Sequence, residues 1–168
     1  MRFLILGLLF LLSLALPGTV FYFWSWAGIK PDLVMLLVIY IALHMRRRPA
    51  VLWGLSLGLL EDLYLGRYLG MYGFTMMAVA FLTQRISERW SRDNFFLTIV
   101  LVFFMTMAGQ LMIGFFGVGA GLRWSLEDIS RLAVGVALYN ALLVPITYPL
   151  IHRSFLHGWL RYRPKYER

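Results

Sequence analysis

Phe95–Phe116 reads FFLTIVLVFFMTMAGQLMIGFF and contains no charged residue. A helix rising 1.5 Å per residue needs about 20 residues to cross a hydrocarbon core of roughly 30 Å, so this stretch is long enough to do so. Its apolar residues follow one another without a period of two, which disfavours a strand of a membrane β-barrel. Five more apolar runs flank it: Phe3 to Trp26, Pro31 to Met45, Ala50 to Leu65, Leu69 to Thr83 and Leu132 to Ile151. The run at Pro31 and the two that follow it are short for a span, so those helices are expected to lean on neighbours or to border a wet cavity. The first run has a basic start at Arg2 and a break at Pro17-Gly18, which also suits a cleavable signal peptide. Val20–Trp24 prolongs the apolar stretch, however, and Ala15-Leu16-Pro17 is a poor cleavage site, which favours a retained helix.

Composition agrees with this reading. The 168 residues are 61% hydrophobic, 17% aromatic and 14% charged. A soluble domain carries roughly 25% charged residues, and a chain this short has much surface for its volume. A soluble globule is excluded. About six crossings use roughly 120 residues and leave no room for a separate soluble domain. The expected architecture is an all-α polytopic membrane protein, a six-helix transmembrane bundle over residues 1–151 with a tail over 152–168. Cysteine is absent, which removes disulfides, thiol catalysis and thiolate metal sites.

Basic residues are retained on the cytoplasmic side of a membrane. Of the 16 Lys and Arg residues, all but Lys30, Arg67, Arg123 and Arg131 fall in alternate connections on one side. That bias places both termini in the cytoplasm. Arg46, Arg47 and Arg48 form the densest cluster on that side. In the tail, Phe155 with Trp159 and Leu156 with Leu160 are i,i+4 pairs, as in a short helix lying among lipid headgroups. Arg153, Arg161 and Arg163 then face anionic lipid. The formal charge of +8 is explained by topology, and the basic residues are too scattered for a nucleic-acid site.

Carboxylates near hydrocarbon need a reason, because each costs about 2.5–3.5 kcal/mol at a helix centre. Asp32 follows Pro31 where the second helix begins, a position that suits capping and the positive end of the helix dipole. Glu61 and Asp62 lie a dozen residues beyond Pro49, roughly 17–20 Å along a helix. They also sit near a helix C-terminus, where the dipole disfavours negative charge. Arg67 and Lys30 are the cations available on that side. Neighbouring helix positions diverge by about 100°, so one carboxylate is expected to face the bundle interior and the other a loop or partner. A buried structural pair and a partner site both fit.

Gly54 and Gly58 stand four apart on the third helix, and Gly66 and Gly70 repeat the spacing across the next turn, which permits close helix approach. Gly117 and Gly121 mark a turn after the fifth helix. Ser125-Leu126-Glu127-Asp128 reads as a capping box opening the last helix, with Trp124 at the interface. Gln110, Tyr139 and Asn140 are mid-span polar groups for interhelical hydrogen bonds, Pro145 and Pro149 are kink sites, and methionines such as Met76 and Met105 are packing residues.

Catalytic chemistry finds little support. His44, His152 and His157 map to the cytoplasmic side and the notable carboxylates to the other. A Ser–His–Asp set or a histidine–carboxylate metal site needs them together. No phosphate-binding GxxxxGK[ST] loop is present, and adjacent Glu61 and Asp62 cannot face one another as glycosidase carboxylates do. No enzyme, cofactor or metal is expected.

Pro31-Asp32-Leu33, then Gly54, Gly58-Leu59-Leu60-Glu61-Asp62, then Gly66 and Leu69-Gly70 resemble the signature of the rod shape-determining MreD family. The family motif falls on Asp62, with Glu61 a local addition, and Asn140, Pro145 and the basic end also resemble members. The resemblance implies a non-catalytic scaffold of the cell-elongation machinery in the bacterial cytoplasmic membrane. It implies pairing with the single-span protein MreC, work with MreB filaments, and a complex containing a glycosyltransferase and a transpeptidase that build lateral peptidoglycan. It further implies a bundle like the substrate-binding subunits of energy-coupling-factor importers. On this reading MreC docks laterally through apolar and small-residue contacts, while Asp32 and Asp62 hold the ends of helices two to four. The rival is a vitamin-binding importer subunit, whose usual Ala-x-x-x-Ala pattern is reduced here to Ala15-x-x-x-Thr19.

Overall fold

The computed structural model describes residues 2–19, 28–66, 68–88 and 95–156. Among them it contains six helices and no strand: α1 (Arg2–Thr19), α2 (Leu33–His44), α3 (Arg47–Leu65), α4 (Met71–Ser87), α5 (Phe95–Gly119) and α6 (Leu126–Leu156). Each overlaps one apolar run of the sequence, with bounds that differ by a few residues and most at α6. α1 is described as far as Thr19, and the stretch expected to prolong it, residues 20–26, lies outside the described residues. The last helix begins six residues before Leu132, because Ser125 and Asp128 close a capping box there. The Asp128 backbone N–H donates to Ser125 Oγ at 3.1 Å, and the Ser125 hydroxyl donates to Asp128 Oδ2 at 2.7 Å. At its other end α6 runs on to Leu156, past Ile151, and contains both Pro145 and Pro149. The tail residues Trp159, Leu160, Arg161 and Arg163 lie outside the described set.

Among the described residues two helices, Phe95–Gly119 and Leu126–Ile151, are long and apolar enough to cross a membrane. They form a hairpin. The Leu122 N–H returns to Gly117 O and the Gly121 N–H to Val118 O, each at 3.0 Å, so the freed carbonyls at the end of α5 are satisfied inside the turn.

Packing explains the short second run. Every residue from Val34 to Leu43 is buried, and α2 contacts all five other helices. A helix wrapped by protein on all sides needs no polar face, and its backbone groups are satisfied within itself. At 12 residues it spans roughly 18 Å, less than a hydrocarbon core of roughly 30 Å.

α3 packs most closely on α4, and the glycine spacing shows how. A Cβ on Gly54 would lie 2.7 Å from Met76 O, and one on Gly58 would lie 2.5 Å from Tyr72 O and 2.7 Å from the Cα of Gly73. Only hydrogen fits there, so the two backbones meet directly. The small-residue face read as a seat for a partner helix is therefore filled by α4. Gly66 and Gly70 do something else. A Cβ on Gly66 would touch nothing within 4 Å, while the residue takes φ +63° to end α3. Gly70 takes φ +100° to open α4. They are turn residues in the left-handed region, not a second close-packing pair.

Candidate functional site

The acids singled out by the sequence gather where α2 begins, α3 ends and α4 begins. Asp62 is 2% exposed. Its Oδ2 accepts the backbone N–H groups of Gly70 at 2.9 Å and Gly73 at 3.0 Å, and its Oδ1 accepts that of Tyr72 at 2.9 Å. These are among the orphan donors at the head of α4, and a carboxylate there meets the positive end of that helix's dipole. Three backbone amide donors thus meet the Asp62 carboxylate, and Arg67, one of the two cations expected to offset the acids, lies outside the described residues. The α3 dipole still opposes the charge, but the α4 terminus is in direct contact with it and prevails.

Gly73 makes this reach possible. A Cβ at Gly73 would fall 2.9 Å from Leu59 Cδ2 and 3.4 Å from Asp62 Oδ2. Sequence reasoning passed over Gly73. The available signal was its place on α4, opposite Gly58.

Asp32 builds a wider knot. It caps α2, with Oδ1 accepting the Met35 N–H at 2.9 Å. Its Oδ2 accepts the Gln110 side-chain amide from α5 at 2.8 Å. Asn140 on α6 closes on the Asp32 backbone from both sides: Oδ1 accepts the Asp32 N–H at 3.1 Å, and Nδ2 donates to Asp32 O at 2.9 Å. That same Nδ2 also donates to Thr106 Oγ1 at 3.3 Å. Pro31 is buried just ahead of the knot. Gln110 and Asn140, read separately from the sequence as mid-span polar groups, thus serve one corner, and three helices share it.

Glu61 is also buried, at 8% exposure, and its Oε2 has no hydrogen-bond partner. Of the adjacent acids, Asp62 grips the loop end and the head of α4, while Glu61 points inward.

The basic cluster sits at the other end. Arg46 and Arg48 are exposed at the α2–α3 corner, and Arg47 lays its guanidinium 4.2 Å from the centre of the Phe81 ring. Arg153 is exposed near the end of α6. Here His44 Nδ1 bonds to Tyr40 O at 2.8 Å, and Tyr40 OH pairs with Thr147 Oγ1 at 2.7 Å.

The class defined by these features is a helical membrane bundle whose buried acids brace its own backbone. The family model described as rod shape-determining protein MreD matches residues 1–154, and the chain belongs to that family. It is a family of shape-determining membrane proteins, not a known enzyme family. No curated protein and no solved structure matches the chain at a significant level.

Proposed function

We propose that the chain is a non-catalytic scaffold of the cell-elongation machinery, crossing the cytoplasmic membrane six times with both termini inside. Its work is to bind MreC and so support lateral peptidoglycan synthesis alongside MreB, a glycosyltransferase and a transpeptidase. The carrying observation is the engagement of Asp62 by three backbone N–H groups. A carboxylate so engaged shapes a helix junction, the part a structural scaffold residue plays.

Because Gly54 and Gly58 are spent against α4, a partner helix must meet an outward apolar face. One such face is the α6 ridge Val134, Leu138, Leu142, Ile146 and Leu150, exposed at every fourth position. Ridges at i+4 spacing fit the grooves of a neighbouring helix. The family match leaves the vitamin-importer reading without support.

The test is co-purification of MreC from membranes carrying Leu142→Trp with Ile146→Trp. Loss of MreC with an unchanged thermal midpoint supports the reading. Full retention in this variant, and in matching tryptophan pairs on the exposed faces of α3 and α5, overturns it.

A further inference from the structure

The basic corner continues onto the outer surface of the α3–α4 hairpin. Gly54 against Met76 and Gly58 against Tyr72 set the antiparallel register of the two helices. Two turns beyond Gly54, Arg47 lies on the Phe81 ring, its guanidinium 4.2 Å from the ring centre. That contact holds a partly buried cation at the seam between the helices. Exposed residues form a line on each helix. On α3 they are Arg48, Leu52 and Leu59, and on α4 they are Phe74, Phe81 and Arg85. Separations of four and seven residues keep each set on one helix face. The two lines run side by side. Arg47 joins them at one end, and toward the other a Cβ on Gly73 would fall 2.9 Å from Leu59 Cδ2. Each line starts in an arginine at the same end, Arg48 on α3 and Arg85 on α4.

Charge at this end is one-sided. Among the described residues its only carboxylate is Glu88, exposed at the C-cap of α4, against Arg46, Arg47, Arg48, Arg85 and Arg153. Guanidiniums above two parallel apolar tracks match the anatomy of a phospholipid. The phosphate takes forked N–H donors, and the acyl chains lie along the tracks below it. An acidic peptide would meet the arginines and leave the tracks uncovered. A headgroup of net negative charge is favoured over a zwitterionic one, because it carries no ammonium to repel the arginines. The stacking of Arg47 on Phe81 fixes one donor in advance and lowers the ordering cost of binding. We propose that the α3–α4 hairpin holds one anionic phospholipid, its phosphate bracketed by Arg47, Arg48 and Arg85 and its acyl chains laid along Leu52 and Leu59 and along Phe81 and Phe74. The site is separate from the α6 ridge, so lipid binding and MreC binding stand or fall independently.

The experiment places the full chain in phosphatidylcholine nanodiscs containing a trace of phosphatidylglycerol with a diazirine in its acyl chain. A phosphatidylcholine probe with the same acyl chain is used in parallel, and the residues labelled on illumination are mapped by mass spectrometry. In wild type the phosphatidylglycerol label should concentrate on Leu52, Leu59, Phe74 and Phe81. It should exceed the phosphatidylcholine label there by about a hundredfold, as three arginines at about fivefold each imply. Arg48→Gln with Arg85→Gln should lower that ratio to about fivefold. Arg153→Gln, on α6, should leave it within about twofold of wild type. The proposal is overturned if wild-type label spreads evenly over the outward faces of α3 to α6, or if the two probes label the hairpin equally. It is also overturned if Arg153→Gln costs as much as the double variant, the mark of a diffuse surface charge.

Discussion

The two acidic corners differ in reach. Asp62 closes on groups 8, 10 and 11 residues ahead, all within one helix hairpin. Asp32 is tied to residues 78 and 108 positions away, on α5 and α6. The first corner can form as soon as α3 and α4 meet, since the loop it closes is short and its entropy cost small. The second exists only once α2, α5 and α6 are all in place. One corner thus shapes the α3–α4 hairpin, and the other fastens the α5–α6 hairpin to the central helix.

Breaking the hairpin contact is expected to have the largest effect. Gly58→Leu drives a side chain into the Tyr72 carbonyl and the Gly73 backbone, and the cost should be about 3 kcal/mol or more. Folded monomer yield by size exclusion should collapse, with Gly58→Ala showing the same sign at smaller size. Next comes Asp62→Ala, which strands three backbone donors at the head of α4 and should cost about 3 kcal/mol, measured as a drop in thermal midpoint. Asp62→Asn should recover part of that loss, because its amide oxygen still accepts.

The long-range corner sharpens the comparison. Asn140→Leu removes both bonds to the Asp32 backbone and should cost about 1–2 kcal/mol. Combining it with Gln110→Leu should give a non-additive loss, because both act on Asp32. Combining it with Gly66→Ala at the other corner should give a near-additive one. The smallest effect belongs to Ser125→Ala, which opens the exposed capping box of α6 at about 1 kcal/mol or less.

The same contrast decides what was legible in the sequence. Features of short range were readable: six apolar runs, the Ser125–Asp128 box, Pro31-Asp32 at a helix start, and Gly54 with Gly58 as a close-packing face. Which surface that glycine face would meet was not, because i+4 spacing says that a backbone can approach without saying whose. The offset of Asp62 was sought in a cation, because a side-chain charge is visible in a sequence and an oriented backbone amide is not. Gln110 and Asn140 carried no sign that they would converge on Asp32, since chain separations of that size are joined only by tertiary packing. The complete burial of α2 was similarly hidden, for an apolar run reads the same whether lipid or protein surrounds it.

The central claim is that the Asp62 carboxylate holds the first turn of α4. Amide hydrogen exchange at Gly70, Tyr72 and Gly73 tests it directly, in wild type and in Asp62→Asn within lipid nanodiscs. The account predicts strongly protected amides in wild type, and exchange at those three residues faster by roughly a hundredfold in the variant, with the Asp32 corner unaffected. Equal exchange rates in the two proteins would contradict it.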